Sequence, residues 1–469
     1  RFPRTMNDKP NPSLLHQFKN LIIGKAKDPN DQFLFQHLSL IAFFAWVGLG
    51  ADGISSSCYG PQEAFLALAH YKHLAIFVGI ASAITVMVIS ASYSQIIELF
   101  PGGGGGYLVA SKLLSPKVGM VSGCALLVDY VLTIAISVAS GADAIFSFLP
   151  PSWYPYKLAL ALGGVVVLIL LNLRGVKESV VPLIPIFLTF IITHVFVIVY
   201  AVFMHAGRMP EIISGTYSEV QTATSQLGFA GVLILLVRAY SMGAGTYTGI
   251  EAVSNGMPIL REPKVQTGKR TMRYMAVSLA FMAVGLMFAY LLYDADFQTG
   301  RTLNAVLFEK VTGHWGTAGY VFVFVALLSE AAILFVAAQA GFLDGPRVLS
   351  SMAADRWFPT KFTMLSDRFV TQNGILIMGG ASLILVLMTN GSVGYLVVLY
   401  SINVFITFVL SQTGMVRHWW LFRGKVSHWK KKLAINGVGL VLTLTILISV
   451  VVAKFHEGGW ITILATGTL

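Results

Sequence analysis

The stretch "GLGADGISSSCYG", residues 48–60, decides how this chain folds. Apolar sequence flanks it, "LSLIAFFAWV" (38–47) before and "PQEAFLALA" (61–69) after. A helix of that composition is expected to run straight on. Instead it meets Gly48, Gly50, Gly53, the carboxylate of Asp52, a serine triplet and Tyr59. Glycine is the poorest helix former after proline. In hydrocarbon, unwound backbone survives only where it lines a cavity or is buried in protein.

A second stretch of the same kind, "SMGAGTYTGIEAVSNG", lies at 241–256. It too has close-spaced glycines, hydroxyls and an acid, Glu251, after an aliphatic half-helix. We place spans near 37–69, 73–99, 115–148, 157–173, 179–205, 228–260, 273–293, 316–344, 373–390, 393–415 and 433–453, with a partial twelfth from about 458. Each intact span is close to the ~20 residues that cross a bilayer. Four spans separate the two breaks, so each break opens a set of five. Paired interrupted helices at corresponding positions mark an inverted-repeat transporter, with its site at the midplane. A single glycine-rich span also suits close helix packing; two in register favour a transport site. The predicted organisation is an N-terminal arm (1–36), a first repeat (37–206), a second inverted repeat (227–415) and a basic loop with two further helices (416–469).

Composition agrees. Of 469 residues, 56% are hydrophobic and 11% charged, and mean hydropathy is +0.74. A soluble protein carries about twice that share of charge. The net charge of +11 invites a nucleic-acid reading, which its distribution excludes. With the N-terminus inside, 25 of the 32 Lys and Arg fall on the inner side. Only Lys72, Lys157, Arg208, Arg301, Lys310 and Lys454 fall outside, and Arg238 falls within a span. This is the positive-inside pattern, with a further attraction to anionic lipid. The arm has no signal-peptide pattern. The sequence stops partway through the twelfth span, so a continuation is expected. The cysteines, Cys58 and Cys124, read as small buried thiols with no disulfide framework.

The acids inside spans are Asp52, Glu63, Asp129, Asp143, Glu251 and Glu330. Such groups are costly in a membrane and usually face a pathway. Asp129, Thr133 and Ser137 stand at i, i+4 and i+8, and Tyr130 joins Thr133 and Ser137 at i, i+3, i+7. Both sets lie on one side of a helix. Thr248 and Glu251 share a face at i, i+3. Hydroxyls in membrane helices commonly bond back to their own backbone, and buried acids can be neutralised by an internal base. Arg238 is the one such base within a span, too few for these acids. The interior is therefore oxygen-rich and net negative, which suits a hard cation. "PGGGGGYLVASK" (101–112) lacks the Gly-Lys-Ser/Thr ending of a phosphate loop and reads as loop and turn. "REPKVQTGKRTMR" (261–273) reads as a basic inner loop that orients the chain. His70, His73, His194 and His205 lack metal-site spacing and receive no role.

"GADGISSSCYG", "PGGGGGYLVASK", "LLVDYVLTIAISVASGADAI", "TGIEAVSNGMP" and "LYSINVFITFVLSQTGM" together resemble the KimA-type bacterial potassium importers. These belong to the amino acid–polyamine–organocation superfamily and are related to the KUP potassium uptake permeases. The resemblance runs from about 37 to 455. It implies an all-α membrane fold of two inverted five-helix repeats with discontinuous first and sixth helices, plus two C-terminal helices. It implies proton-coupled potassium uptake in a bacterial inner membrane, no enzymatic activity, no cofactor, a homodimer, and cyclic di-AMP control through a cytosolic domain beyond this sequence. Carried over by motif, potassium contacts fall on Tyr59, Tyr130, Thr133, Ser137, Thr248 and Tyr400, with the K⁺ itself at Tyr59, Thr133, Ser137 and Thr248. Coupling or gating falls on Asp52, Asp129 and Glu251. Tyr400 rests on the resemblance alone. The eighth span departs from the pattern: Glu330 stands where an apolar or small residue is expected, and a Gly-Pro-Arg turn follows near its inner end.

Three readings follow: a proton-coupled potassium importer, a proton-coupled amino acid or polyamine permease on the same fold, and a membrane receptor or nutrient sensor. A zwitterion's carboxylate wants bare amides at the first break, and Asp52 repels it there. That favours a cation, while a polyamine also tolerates the acids.

Overall fold

The computed structural model describes residues 40–175, 180–368 and 370–469. The arm expected at 1–36 lies outside them. The first span is two helices, α1 (Ala42–Ser55) and α2 (Gly60–Ala67), separated by a 3-10 turn, Ser56–Cys58, and by Tyr59. Four unbroken spans follow: α3 (Ala75–Leu99), then, after the short α4 (Gly105–Leu113), α5 (Pro116–Phe146), α6 (Lys157–Leu173) and α7 (Val180–Met204). Pro116 opens α5 at the one position where a missing N–H costs nothing, and the Ser115 side chain accepts from Val118 N at 3.3 Å.

The second half repeats the scheme. α8 (Met209–Met242) ends in a 3-10 turn, Gly243–Tyr247, and the short α9 (Ala252–Asn255) resumes beyond it. Then come α10 (Lys264–Leu292), a short α11 (Leu303–Thr312), α12 (Thr317–Ala354), α13 (Gln372–Met388) and α14 (Val393–Leu421). α15 (Trp429–Lys454) and α16 (Trp460–Thr468) close the chain. Nine of the described helices are long and apolar enough to cross a membrane. The most enclosed is α5, with 89% of its apolar stretch buried against 28% for the stretch containing α6. α12 and α14 pack along α5, and α10 packs along α3.

Four boundaries differ from the sequence reading. The sixth span does not begin at 228: helix runs back to Met209, and Gly228, at φ 72°, separates a polar outer piece from the apolar one. The basic segment before the seventh span is not all loop, because α10 begins at Lys264 and carries those cations on its first turns. The expected Gly-Pro-Arg turn is helix, since α12 continues through Pro346. A Cβ at Gly374 would stand 2.8 Å from Pro346 Cβ, so α13 packs tightly where the proline interrupts the bonding. The glycine run is a turn only at its start and is α4 from Gly105. Gly105 lies against the Asn255 side chain, at φ 49°, which lets α4 touch α9.

Before α1, Leu40 N donates to Ile259 O and Arg261 N donates to Leu40 O, both at 2.9 Å. The start of the first span and the end of the sixth thus meet on one side, called here the basic side. α1 leaves that side and α9 returns to it, so the two broken spans run in opposite directions.

The breaks themselves cross in contact. Gly249 has φ 75°, and a Cβ there would stand 2.5 Å from Gly53 N. Only glycine meets both conditions without strain. Gly249→Ala is therefore expected to lower stability by about 1–3 kcal/mol through overpacking. Gly380→Ala on α13, where a new Cβ meets nothing within 4 Å, is expected to be neutral or slightly stabilising. Thermal unfolding of the two purified variants in one detergent checks the contrast.

Candidate functional site

Where the breaks cross, α5, α9, α12 and α14 surround them. Asp52 near the end of α1, Asp129 on α5 and Glu251 at the second break are electrostatic neighbours. Asp344 on α12 repels Asp52 and Glu251 as well. Asp129, Glu251 and Asp344 are buried, while Asp52 is partly accessible. Arg347 is the counter-charge at hand, 3.2 Å from Asp344 Oδ1. Four acids with one guanidinium at the edge leave a surplus of negative charge in a low-dielectric interior, where Coulomb energies are several times those in water.

The unwound backbone at the second break carries Glu251, whose carboxylate lies near the amides of Gly249 and of its own residue. Glu251 Oε2 is buried with no hydrogen-bond partner, and so is Asp129 Oδ1. Buried carboxylate oxygens are almost always satisfied. Two orphans facing a shared cluster of acids call for a proton or a cation.

Hydroxyls complete the surround. Thr133 Oγ1 donates to Asp129 O at 3.0 Å and stands 3.2 Å from the Tyr400 hydroxyl. Thr248 Oγ1 donates to Gly245 O at 2.7 Å, and the Tyr59 phenol lies beside it. The back-bonding habit of membrane hydroxyls therefore holds here, and it has a chemical consequence. A hydroxyl whose hydrogen is committed to a carbonyl presents only lone pairs to the cluster. Ser56 adds a tie between the breaks, with Oγ 2.5 Å from Gly53 O and 3.1 Å from Thr246 O. Tyr130 accepts from Asn255 Nδ2 at 2.8 Å, which joins α5 to the end of α9. Ser137 is buried one turn beyond Thr133 on the same helix face.

The structure thus brings together Asp52, Tyr59, Asp129, Tyr130, Thr133, Thr248, Glu251 and Tyr400. Sequence reading missed Asp344 and Asn255. Asp344 was hidden at the end of a span, and only its placement in "LDGPR" (343–347) ahead of helix that continues marks it as buried. Asn255 sat within the quoted second break. Among the described residues no three His, Cys, Asp or Glu side chains cluster as a bound transition metal requires.

The remaining acids sort elsewhere. Asp143 pairs with Lys157 at 2.5 Å. Together with Glu63 they line a cleft of about 660 Å³ on the side away from Leu40, between α2, α5 and α14. Arg238 is exposed and neutralises none of them. Glu330 has its own partners: His194 Nε2 at 2.8 Å and Asn304 Nδ2 at 2.7 Å. His194 Nδ1 faces Phe190 O at 2.8 Å, and Phe190 and Phe308 pack on the ring. So His194, given no role from sequence, is the base that accompanies Glu330, and this explains an acid where an apolar residue was expected.

Interrupted helices crossing at a buried acidic cluster, in a bundle of apolar spans, define a multi-pass membrane transporter. Comparisons with known proteins agree. The amino acid permease family profile matches residues 38–464. The potassium transporter KimA of Bacillus subtilis (strain 168) is 33% identical over 451 residues, covering 94% of this chain and 71% of that protein. The low-affinity putrescine importer PlaP of Escherichia coli (strain K12) is 25% identical over 289 residues, 60% of this chain and 59% of that one. A crystal structure of the Eremococcus coleocola manganese transporter, bound to an aromatic bis-isothiourea compound, superposes with a TM-score of 0.50 at 12% identity, covering 95% and 94% of the two chains. A mutant form of it gives 0.52 at 13%. These likenesses of low identity concern the fold. The chain belongs to the amino acid permease family of transporters and is not an enzyme.

Removing one partner of a buried ion-paired group leaves the other uncompensated, at a cost of about 3–5 kcal/mol. Glu330→Ala and His194→Ala are each expected to destabilise by that order. The double replacement is expected to cost clearly less than their sum, read as a double-mutant cycle from unfolding midpoints.

Proposed function

We propose that this transporter carries potassium inward together with protons, across a bacterial inner membrane with the N-terminus cytoplasmic. One observation carries the reading: two buried carboxylate oxygens, on Asp129 and Glu251, lack partners in a cluster whose hydroxyls offer lone pairs. In this reading Tyr59, Tyr130, Thr133, Ser137, Thr248 and Tyr400 surround the ion, with Tyr59, Thr133, Ser137 and Thr248 nearest to it. Neutral oxygens replacing a hydration shell suit K⁺. Asp52, Asp129 and Glu251 then carry charge compensation and the proton. Loading a cation relieves repulsion among the acids, and so does protonation. Both can therefore drive closure of the breaks over the site, which is how proton and ion become coupled. The similarity to a potassium transporter supports the choice of ion. Homodimeric assembly and control by cyclic di-AMP belong to the same reading.

A second reading has one support: a diamine would also neutralise the acids, and a putrescine importer is among the relatives. Proteoliposome flux with potassium, sodium, putrescine and amino acids separates the two. Potassium or rubidium uptake without putrescine uptake supports the first; the reverse supports the second.

Asp52→Asn and Glu251→Gln are each expected to cut rubidium uptake roughly 100-fold, the equivalent of about 3 kcal/mol for one charge-assisted contact. Both should keep the unfolding midpoint of the parent. Near-normal uptake by either variant removes that residue from the mechanism. Collapsing the proton gradient at constant voltage is expected to abolish accumulation. Uptake driven equally by voltage alone would replace coupling with uniport.

A further inference from the structure

On the basic side a second cleft, of about 510 Å³, opens between α3, α10 and α15. It shares no residue with the acidic cluster. Lys269, Arg273, Lys431 and Lys432 line it against a single acid, Glu98. Glu98 is already engaged twice, by Lys269 and by Lys432 at 2.9 Å. That bridge ties α3 to both α10 and α15. Arg273 and Lys431 are exposed and have no carboxylate partner among the described residues. The mouth of the cleft therefore carries a surplus of positive charge, with the two uncommitted cations on different helices.

Its depth has a different character. Met87 precedes Glu98 by eleven residues, about 16 Å along α3 at 1.5 Å per residue. Met87 and Ala91 on α3, Met272 and Ala276 on α10 and Ile435 on α15 make the walls apolar. Between the charged mouth and the apolar depth sits Ser90, only 4% exposed, whose hydroxyl has no hydrogen-bond partner. A cleft that is cationic at the membrane surface, offers an unused buried hydroxyl below it and is apolar beneath matches one kind of ligand. A free phosphate would use only the mouth, and a hydrocarbon only the depth.

We propose that this cleft is a binding site for an anionic phospholipid. The headgroup phosphate meets Arg273 and Lys431, the glycerol ester region meets Ser90, and an acyl chain lies along Met87, Ala91 and Met272. Basic pockets between spans on the cytoplasmic side hold anionic headgroups in this way. Because α3 and α10 pack beside the breaks while α15 packs on α14, α3 and α8, a lipid seated here joins the helices nearest the site to the C-terminal ones. The inference is independent of which ion is carried.

The test uses the purified full chain in detergent, with dioleoylphosphatidylglycerol and dioleoylphosphatidylcholine as probes and bound lipid read by native mass spectrometry. Phosphatidylglycerol is expected to bind at least tenfold more tightly than phosphatidylcholine. Each surface cation contributes about a fivefold factor, so Arg273→Gln with Lys431→Gln is expected to weaken phosphatidylglycerol roughly 20- to 30-fold. The charge-matched pair Lys117→Gln with Lys361→Gln, two exposed cations outside the cleft, should leave it unchanged. Ser90→Ala should weaken it severalfold with no change in charge. Equal binding of the two lipids, or an equal loss in the charge-matched pair, overturns the proposal. So does full displacement by millimolar inorganic phosphate, which would make this a soluble-anion site. Loss of lipid binding with rubidium flux intact, or the converse, separates this site from the transport site.

Discussion

The rest of the structure depends on one close approach, the second break lying directly on the first. Unwound backbone in a membrane leaves amides and carbonyls that lipid cannot satisfy. Here the first break supplies a partner to the second and the two backbones cover one another. Ser56 of the first reaches the Thr246 carbonyl of the second, and Gly249 rests on Gly53. Without side chains at these two points the backbones meet; with them, they stand apart and the freed groups are orphaned. The glycines of the opening stretch are thus conditions for an interruption to exist at all, and they are also what places Asp52 beside Glu251.

That arrangement creates the electrostatic problem the site turns to use. Bringing acids from α1, α5, α9 and α12 together opposes folding. Backbone amides near Glu251 and the hydrogen bond from Arg347 to Asp344 offset only part of the cost. In the function proposed above, mobile positive charge meets the remainder. Either a proton or a cation relieves the same repulsion, which is what would link the two. The Glu330–His194 pair is the contrasting case in charge: one oxygen of this acid has its own base and amide, which stabilises contact between α7 and α12, although its Oε2 is buried without a partner like those of the cluster.

Most of the fold was legible because the signals are long-range in composition and local in cause. Spans announced themselves by length and the breaks by glycine density. Helical spacing also selected Asp129, Thr133 and Ser137, because α5 is regular and most enclosed. What spacing could not show is which residues meet across helices. Tyr400 reaches Thr133 from α14, and nothing in its own helix marks it. Asp344 was passed over because a Gly-Pro-Arg segment reads as a turn, whereas packing of α13 on Pro346 keeps it helical and inside. Arg238 was counted as an interior base because its segment is apolar, but it lies on the exposed face of α8 beside Ile234 and Val237.

The same limit explains why the cleft on the basic side escaped sequence reading. Its cations were visible, but as part of a topological signal that needs only their number on one side. Their grouping depends on α10 beginning at Lys264 and on α15 beginning at Trp429, so that residues far apart in sequence converge on Glu98. Charge that orients a chain during insertion costs little to concentrate, since the membrane surface already favours it. Once two helices carry such charge to one acid and leave cations over, the topological residue becomes a recognition surface.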